Sequence, residues 1–233
     1  MVRSETSAGS ANVRGGDALV VWGGWDGHHP REAVELFVPR LERAGLRVRV
    51  ADTLDVYTDE DYLRRCAVIV QCWTQGEATG EQVDGLSRAV AGGAGLAGWH
   101  GGLVDAFRTS TDYQLLTGGQ WVAHLDGMVT HTVDPVPART AHPIIAGIEA
   151  FELTTEQYYL HVDPSNDVLA TSTIVDNEQA PWAAGVVMPQ VWTRRWGAGR
   201  VFFAAPGHDL AVLRHPSVSE LTGRGLLWAA GLL

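Results

Sequence analysis

The segment Gly95-Leu-Ala-Gly-Trp-His-Gly-Gly102 ends a short apolar run on a turn that carries one reactive side chain, His100. A short buried strand that breaks into a glycine-flanked turn resembles the elbow at which α/β enzymes expose a catalytic nucleophile. No Ser or Cys stands beside His100. The segment therefore predicts a site on an α/β scaffold in which the usual thiol or hydroxyl chemistry is absent.

Upstream of this segment, short apolar runs alternate with amphipathic segments, as in βα units that build a parallel sheet covered on both faces. Helices are predicted from Pro30 to Gly45, and from Thr79, which forms a capping box with Gln82, to Gly92. The predicted strands are Ala18–Trp22, Leu46–Val50, Ala67–Cys72 and Leu96–Trp99. The alternating arginines of the second strand favour a position near an edge of the sheet.

Downstream, residues 112–161 are less regular, and we expect a short helix and one inserted strand there. Two β-rich runs, Val186–Arg195 and Arg200–Ala205, flank a four-residue connection with two glycines and predict a hairpin. A capping pattern of Ser217 and Glu220 precedes a closing helix.

These elements predict one α/β domain over residues 17–233, a three-layer sandwich whose mostly parallel sheet ends in an antiparallel hairpin. Residues 1–16 are rich in Ser, Ala and Gly and are predicted to form a disordered tail.

Composition narrows the class of partner. The 233 residues are 45% apolar and 19% charged, with a net charge of -10. No Lys/Arg cluster supplies the basic surface that phosphate backbones require, so nucleic acid is not an expected partner. No apolar run approaches the roughly 20 residues that cross a bilayer, and the N-terminus lacks a signal-peptide core, so a cytoplasmic protein without membrane association is predicted. A homo-oligomer is compatible with this composition.

The two cysteines, Cys66 and Cys72, lie in or beside the apolar run Ala67–Val70. This position is typical of buried strand thiols in a reducing compartment. A catalytic Cys72 is the alternative, but no glycine elbow flanks it.

Unusual side chains follow the ends of four predicted strands, where ligands bind in open α/β sheets. They are Trp25, His28, His29, Trp73, Trp99, His100, His208 and Asp209. The sequence leaves open which of the two adjacent histidines after the first strand faces a pocket, because a one-residue change in loop path exchanges them. Gly101 and Gly102 have two interpretations, room for a ligand or a tight turn.

Nine tryptophans in this chain are a high number, and flat rings beside polar groups suit stacking on sugar rings. Trp25, Trp73 and Trp99 lie at strand ends and are predicted to form a pocket wall. The alternative is core packing, which we expect for Trp192, Trp196 and Trp228.

His124 and Glu156 lie in the irregular stretch between these strand ends. Neutral imidazoles with a carboxylate bind zinc and related divalent ions, and they equally serve proton transfer. No His-Glu-x-x-His spacing fixes a metal on one helix. Acid–base chemistry and a metal site with His100 and His208 as candidate ligands therefore both stay open.

Over nearly the whole chain, from about Leu19 to Leu233, the sequence resembles the ThuA-like family of trehalose-utilisation proteins. The pieces that carry the resemblance are the histidine loop after the first strand, Gly98–Gly102, Gly118–His124, His142–Gly147, Glu156–Tyr159 and Pro189–Asp209. The resemblance implies a flavodoxin-like fold of the class I glutamine amidotransferase type. It also implies a role in handling trehalose, a related disaccharide or an oxidised keto-sugar.

This sequence departs from the amidotransferase scaffold and from the ThuA-like family at two places. Amidotransferases of this scaffold carry Cys at the elbow, where this chain has His100, so glutamine hydrolysis through a thiolate is not supported. Trp99 replaces the Leu common before that histidine, and the His28-His29 pair is followed directly by Pro30.

The leading hypothesis is an enzyme that acts on a sugar by acid–base or metal-assisted chemistry, a hydrolase, lyase or isomerase with His100, Glu156 and His208 as catalytic residues. A zinc-like divalent ion is the candidate cofactor. The predicted substrate-binding residues are Trp25, His28, Trp73, Trp99, His124, Tyr158 and Asp209. The competing hypotheses are a non-catalytic sugar-binding or regulatory module and a structural subunit that pairs with a partner.

Overall fold

The computed structural model describes residues 16–233, so the predicted tail, residues 1–16, lies outside the described part except for Gly16. Nine strands are found in this part of the chain: β1 (Asp17–Gly24), β2 (Arg47–Ala51), β3 (Cys66–Thr74), β4 (Gly95–Trp99), β5 (Gly119–Pro135), β6 (Phe151–Val162), β7 (Asp167–Thr173), β8 (Val187–Trp196) and β9 (Gly199–Ala204). The helices are α1 (Pro30–Arg43), α2 (Glu60–Leu63), α3 (Gly80–Ala91), α4 (Gly101–Val104), α5 (Thr111–Thr117), α6 (Leu210–Arg214) and α7 (Pro216–Ala229). The strands form one sheet in the order β2-β1-β3-β4-β9-β8-β7-β5-β6.

The first half of the sheet is parallel, as predicted. β1 pairs with β2 and β3, and β4 pairs with β3 and β9, all in parallel. β1, β3 and β4 are buried along most of their length, since helices cover both faces of the sheet. β2 lies at the edge with most of its residues exposed, which confirms the position that its alternating arginines predicted.

The second half is antiparallel, and this corrects the prediction of a mostly parallel sheet. Within residues 16–233, β8 pairs antiparallel with β9 and β7, while β5 pairs antiparallel with β7 and β6. The hairpin of β8 and β9 was predicted, with a tighter turn than expected at Gly197-Ala198. The rest of this half is what the sequence did not show.

Residues 112–161 account for most of the difference. The predicted short helix is present as α5, but in place of one inserted strand there are the two long strands β5 and β6, and β7 follows without having been predicted. β5 runs through Asp126-Gly127, residues typical of turns, because Gly127 adopts a φ of +59° where the β5–β6 register shifts between His124 and Met128. Such bulges redirect side chains without ending a strand.

The sheet separates two apolar cores. One lies under α3, α4 and α5, and the other lies under α1, α6 and α7. The capping box of Thr79 and Gln82 at α3 is present as predicted. The closing helix, in contrast, begins at Pro216 and makes no use of the predicted Ser217/Glu220 cap. Among the described residues, no helix is both long and apolar enough to cross a membrane.

Candidate functional site

The turn at His100 has the geometry of a strained elbow. β4 ends at Trp99, α4 begins at Gly101, and His100 between them has φ +50° and ψ -145°. Residues other than glycine rarely adopt this combination, and strain of this kind is concentrated at functional sites. Its amide donates to the Ala204 carbonyl at 2.8 Å, which holds the turn against β9. The imidazole is thereby presented at the carboxyl end of the parallel strands.

The glycines of the elbow are explained by close packing. A Cβ on Gly101 would lie 2.9 Å from Cε1 of His28, and a Cβ on Gly102 would lie 2.8 Å from Cα of Cys72. Real Cβ atoms do not approach other atoms so closely. Of the two interpretations of these glycines, the structure supports tight packing of the turn on its neighbours.

Four ionisable side chains converge at this elbow. One potential ligand atom of each lies within 4.8 Å of those of the others. His28 follows β1, His100 follows β4, His208 follows β9, and Glu156 comes from β6. Parallel strands deliver the histidines to one edge, as the sequence predicted, while the carboxylate comes from the antiparallel half.

Hydrogen bonding fixes the tautomer of His100. Its Nδ1 lies 2.8 Å from the carbonyl oxygen of Ala205. A carbonyl oxygen can only accept, so Nδ1 carries the hydrogen and a neutral ring presents a lone pair at Nε2. That Nε2 lies 3.2 Å from Oε2 of Glu156. Two electron-rich atoms therefore face each other unless a proton or a cation lies between them.

Glu156 is the centre of the cluster. Its Oε2 lies 3.2 Å from Nε2 of His100 and 3.3 Å from Nδ1 of His208, and its Oε1 lies 3.5 Å from Nε2 of His124. The two imidazole nitrogens beside Oε2 are buried, and neither has a hydrogen-bond partner of good geometry. Buried polar atoms without a partner are uncommon and mark either strain or a missing ligand.

The site favours a carboxylate surrounded by neutral imidazoles. Burial, reinforced by His100 and His208, lowers the pKa of His28 to about 3. Burial also lowers the pKa of His100, although Glu156 opposes that shift. Burial alone would raise the pKa of Glu156, but His100 and His208, with nitrogens 3.2 and 3.3 Å from Oε2, hold it well below its usual value through the positive charge that they carry when protonated. The Glu156 carboxylate beside Nδ1 in turn raises the pKa of His208.

A second layer of residues orients the cluster. Nδ1 of His28 lies 2.9 Å from Oγ1 of Thr74, the last residue of β3. The Tyr158 ring stacks on His100 with centroids 4.1 Å apart, and the Trp25 ring meets His28 edge-on at 4.7 Å.

The cluster opens into a small cavity of about 120 Å³. This is below the roughly 300–1,000 Å³ of pockets that enclose drug-sized ligands, so it admits one small group and leaves the rest of a ligand at the mouth. The cavity is lined by Trp25, His28, Gln75, Asp105, Arg108, Trp121, His124, Glu156 and Tyr158.

Most of the predicted site residues meet here. His28, His100, Glu156 and His208 form the cluster, and Trp25, His124 and Tyr158 line the cavity. The choice between the adjacent histidines is settled, since His28 is buried in the cluster and His29 is exposed. Whether these residues act on a substrate stays a prediction.

Three predicted binding residues lie elsewhere. Trp99 is 1% exposed and packs on Phe37 in the core below α1, on the same face of β4 as Ala97. Trp73 packs against the other core and does not line the cavity. The Asp209 carboxylate caps α6 by accepting from the Val212 amide at 2.8 Å.

A catalytic Cys72 is not supported by the structure. The residue is buried, and burial raises the pKa of its thiol to about 12. It would remain protonated at neutral pH, when only a thiolate is nucleophilic.

Sequence reasoning missed Gln75, Asp105, Arg108 and Trp121 in the cavity wall. Asp105 and Arg108 stand directly after the elbow helix, at a spacing of three, and this position is the signal that could have found them. Trp121 gave no such signal, because the irregular stretch containing it was not predicted to be a long strand.

Fold and site together define an α/β protein with a histidine–carboxylate centre on a strand–helix elbow. The chain belongs to the ThuA family, described as trehalose utilisation, which matches residues 17–229. This membership supports a role in carbohydrate utilisation. A search of curated proteins finds no significant match.

Solved structures share the fold. A ThuA-like protein from Bacteroides uniformis ATCC 8492 matches with a TM-score of 0.76 and 16% identity, over 95% of this chain and 94% of its own. A ThuA-like protein from Parabacteroides merdae ATCC 43184 matches with a TM-score of 0.72 and 15% identity, over 93% and 90%. A cytoplasmic protein from Salmonella typhimurium LT2 matches with a TM-score of 0.63 and 12% identity, over 93% and 98%. At these identities the likeness shows the fold alone, and the predicted likeness to glutamine amidotransferases is not confirmed by these three.

Proposed function

We propose that this protein is an enzyme of sugar metabolism whose site holds a divalent metal ion between His28, His100, His208 and Glu156. The observation that carries the proposal is the fixed tautomer of His100. Its Nδ1 hydrogen is committed to the Ala205 carbonyl, so its Nε2 lone pair points at a carboxylate oxygen 3.2 Å away. A bound cation turns this unfavourable contact into two favourable ones.

The donor set fits such an ion. Three neutral imidazoles and one carboxylate are ligands that zinc and related ions accept. Around a tetrahedral ion with bonds of about 2.0–2.1 Å, neighbouring ligand atoms lie about 3.3 Å apart. The nitrogens of His100 and His208 are 3.2 and 3.3 Å from Oε2 of Glu156, and the whole set lies within 4.8 Å. Small side-chain movements of about an ångström complete the centre.

The second layer supports the same assignment. Histidines that bind a metal ordinarily use their other nitrogen to bond a carbonyl or a polar side chain, which fixes the tautomer and the ring orientation. His100 does so with Ala205 and His28 with Thr74. Asp209 caps α6 next to His208 and fixes the loop that carries it.

When bound, a divalent ion supplies Lewis acidity toward a carbonyl or hydroxyl oxygen and lowers the pKa of a bound water. The residues around it supply positioning and proton transfer. His124 is partly exposed beside Oε1 of Glu156, so it can exchange protons with solvent. Tyr158 closes one side of the cavity and excludes water from the face of His100.

A sugar substrate is supported by the family and by the cavity wall. Trp25 and Trp121 line the opening, and flat aromatic faces suit the apolar faces of sugar rings. A keto-sugar is a fitting substrate, since the C–H bond beside its carbonyl is acidic enough for a histidine base. Elimination and isomerisation both begin with removal of this proton, and net hydrolysis results when water adds to the product of elimination. The buried, reduced state of both cysteines supports a cytoplasmic location.

The test is the metal content of protein purified without a histidine tag or chelator, measured by elemental mass spectrometry. We expect close to one divalent ion per chain in the wild type and less than a tenth of that in a His100→Ala/His208→Ala variant. His161→Ala, at an exposed position of β6 outside the cavity, is the matched control and should keep the ion.

If neither wild type nor control holds or takes up an ion, the metal proposal is wrong. Sugar turnover without metal would then assign the site to acid–base chemistry by Glu156 and His208. Saturable sugar binding without turnover would assign the chain to a non-catalytic binding module.

A further inference from the structure

A rigid ion pair forms the wall of the cavity beside the cluster. The Arg108 guanidinium binds the Asp105 carboxylate through two bonds, Nε to Oδ1 at 2.5 Å and Nη2 to Oδ2 at 3.0 Å. The carboxylate is almost completely buried, and the guanidinium carbon lies 4.5 Å from the centre of the Trp121 ring. Held on two sides, the guanidinium has one defined orientation.

The backbone around this pair is fixed as well. The Gln75 amide donates to the Asp105 carbonyl at 2.8 Å, which ties the loop to the end of β3. The Gln114 side chain donates to the Arg108 carbonyl at 2.8 Å. Sites that are held in this way before a ligand arrives lose little entropy when they bind it.

Arg108 keeps donors that Asp105 does not use. A guanidinium has five N–H groups, and in residues 16–233 Asp105 is the acceptor for Nε and for one N–H of Nη2. The Nη1 group has no acceptor in that part of the chain. The side chain is 45% exposed and lines the cavity next to Glu156. Its unused donors are therefore available to a ligand.

The net charge of the metal-loaded cavity indicates the charge of the ligand, an inference that rests on the proposed function. Glu156 and Asp105 each carry one negative charge, Arg108 carries one positive charge, and a divalent ion adds two. With the histidines neutral, the loaded cavity holds one net positive charge. A ligand with a single negative charge neutralises it.

We propose that Arg108 is a substrate-binding residue that recognises a pair of ligand oxygens sharing one negative charge. Two sources provide this chemistry. One is the carboxylate of a sugar acid. The other is the enediolate formed from a keto-sugar with a hydroxyl on the carbon beside the carbonyl. The C–H bond of that carbon breaks, its proton passes to His124, its electron pair forms the C=C bond, and the π pair of the C=O bond moves onto the carbonyl oxygen.

If the Asp105–Arg108 pair has only a structural role, changing Arg108 should not alter the preference for a negatively charged ligand. Arg200 and Trp228 form a similar pair elsewhere in the chain and provide a matched control. Arg200 lies over Trp228, with its guanidinium carbon 5.2 Å from the ring centre, and donates to the Trp228 carbonyl at 2.9 Å. Neither residue lines the cavity. Arg200→Met thus removes the same kind of cation–π contact without touching the site.

The experiment is calorimetric titration of the full chain, loaded with zinc, with three small probes. Glycolate carries a carboxylate, glycolohydroxamate mimics an enediolate, and glycolamide is the neutral control. We expect at least one of the charged probes to bind the wild type at least tenfold more tightly than glycolamide does. Arg108→Met should abolish that preference, Arg108→Lys should retain part of it, and Arg200→Met should leave it intact.

The two charged probes separate the sources. Preference for glycolate alone assigns a sugar acid, and preference for glycolohydroxamate alone assigns an enediolate. Equal binding of all probes to the wild type, or an undiminished preference in Arg108→Met, overturns the inference. If Arg108→Met does not fold, a full preference in Arg108→Lys overturns it.

Failure of this inference is distinct from failure of the proposed function. Normal zinc content in Arg108→Met with unchanged probe preference leaves the metal centre standing and removes the role of Arg108. Absence of zinc from the wild type, together with a probe preference that depends on Arg108, would remove the metal centre and keep the role of Arg108.

Discussion

The parallel and antiparallel halves of the sheet contribute to the site in different ways. The parallel half supplies His28 and His100, whose side chains are almost completely buried and are fixed by hydrogen bonds to Thr74 and Ala205. The antiparallel half supplies Glu156 from a long ribbon with shifts in register. One half provides rigid donors, and the other provides the carboxylate of the cluster and four of the nine residues that line the cavity.

The centre therefore lies at the junction between the parallel and antiparallel halves of the sheet. The histidines depend on tight packing of glycine turns, so their geometry is sensitive to small changes of volume. The ribbon residues lie on a surface that tolerates change. Variants of the tightly packed residues around the histidines should therefore reduce stability, whereas variants at exposed positions should leave it largely unchanged.

The largest effect is expected from Trp99→Ala in the parallel half. The side chain fills the core against Phe37, and its removal leaves a cavity, so the free energy of unfolding should fall by about 3–5 kcal/mol. Trp25→Ala, at a position that is 48% exposed, should change it by less than about 0.5 kcal/mol. Urea denaturation of both variants measures the contrast. A small loss for Trp99→Ala would contradict the assignment of this residue to the core.

Gly102→Ala tests the packing of the elbow. The added methyl would lie 2.8 Å from the Cα of Cys72, a backbone atom that cannot move aside. We expect a loss of about 1–3 kcal/mol in the free energy of unfolding. Gly80→Ala is the control, because a Cβ there meets no atom within 4 Å. Equal stability of the two variants would show that the elbow can accommodate a methyl group at position 102.

The metal-free protein should lose stability as the pH falls below about 6.5, the unfolded pKa of histidine. His28 has a folded pKa of about 3, so unfolding takes up a proton between these values. Each such histidine contributes about 1.4 kcal/mol per pH unit. The raised pKa of His208 acts in the opposite sense, stabilising below 6.5 and losing that effect as the pH rises through its folded pKa.

Urea denaturation of chelator-treated protein at pH 5, 6 and 7.5 measures this slope. His28→Asn should reduce it by about one proton, whereas His161→Asn, at an exposed position, should leave it unchanged. A slope that is the same in all three proteins would show that His28 is not held neutral in the fold.

The smallest effect on the centre is expected from His124→Gln in the antiparallel half. His124 is partly exposed and lies 3.5 Å from Oε1 of Glu156, on the side away from the other histidines. Zinc affinity, measured by competition with a chromophoric chelator, should change less than about threefold, well below the roughly 10–100-fold typical of hydrogen-bonded outer residues, since His124 only approaches Oε1 to 3.5 Å. A loss of zinc affinity as large as that caused by Glu156→Gln would show that His124 is itself a metal ligand.

The sequence predicted the parallel half well because its strands are short apolar runs bounded by glycine, proline and capping residues. It located His100 and His208 for the same reason, since each follows a run that reads clearly as a strand. The antiparallel ribbon has no such signal. Asp126-Gly127, a pair of residue types typical of turns, lies inside β5, where the register shifts.

The position of Glu156 beside the elbow could not be predicted, because it depends on the register of strand pairs that are distant in sequence. The pairing of His124 with Tyr158, which places the Glu156 strand beside the elbow, depends on contacts more than thirty residues apart. Trp99 was predicted to line the pocket because it stands at the end of a strand. Alternation along β4 instead directs its side chain, like that of Ala97, into the core below α1.

The position of β6 at the outer edge of the sheet has a kinetic consequence for the centre. An edge strand has a neighbour on one side only, so it opens at a lower free-energy cost than the central strands that hold the three histidines. Opening of β6 withdraws Glu156 while the imidazoles stay in place. If the proposed cation is bound, we expect its dissociation rate to follow the rate at which this one edge strand opens, which amide hydrogen exchange in β6 would measure.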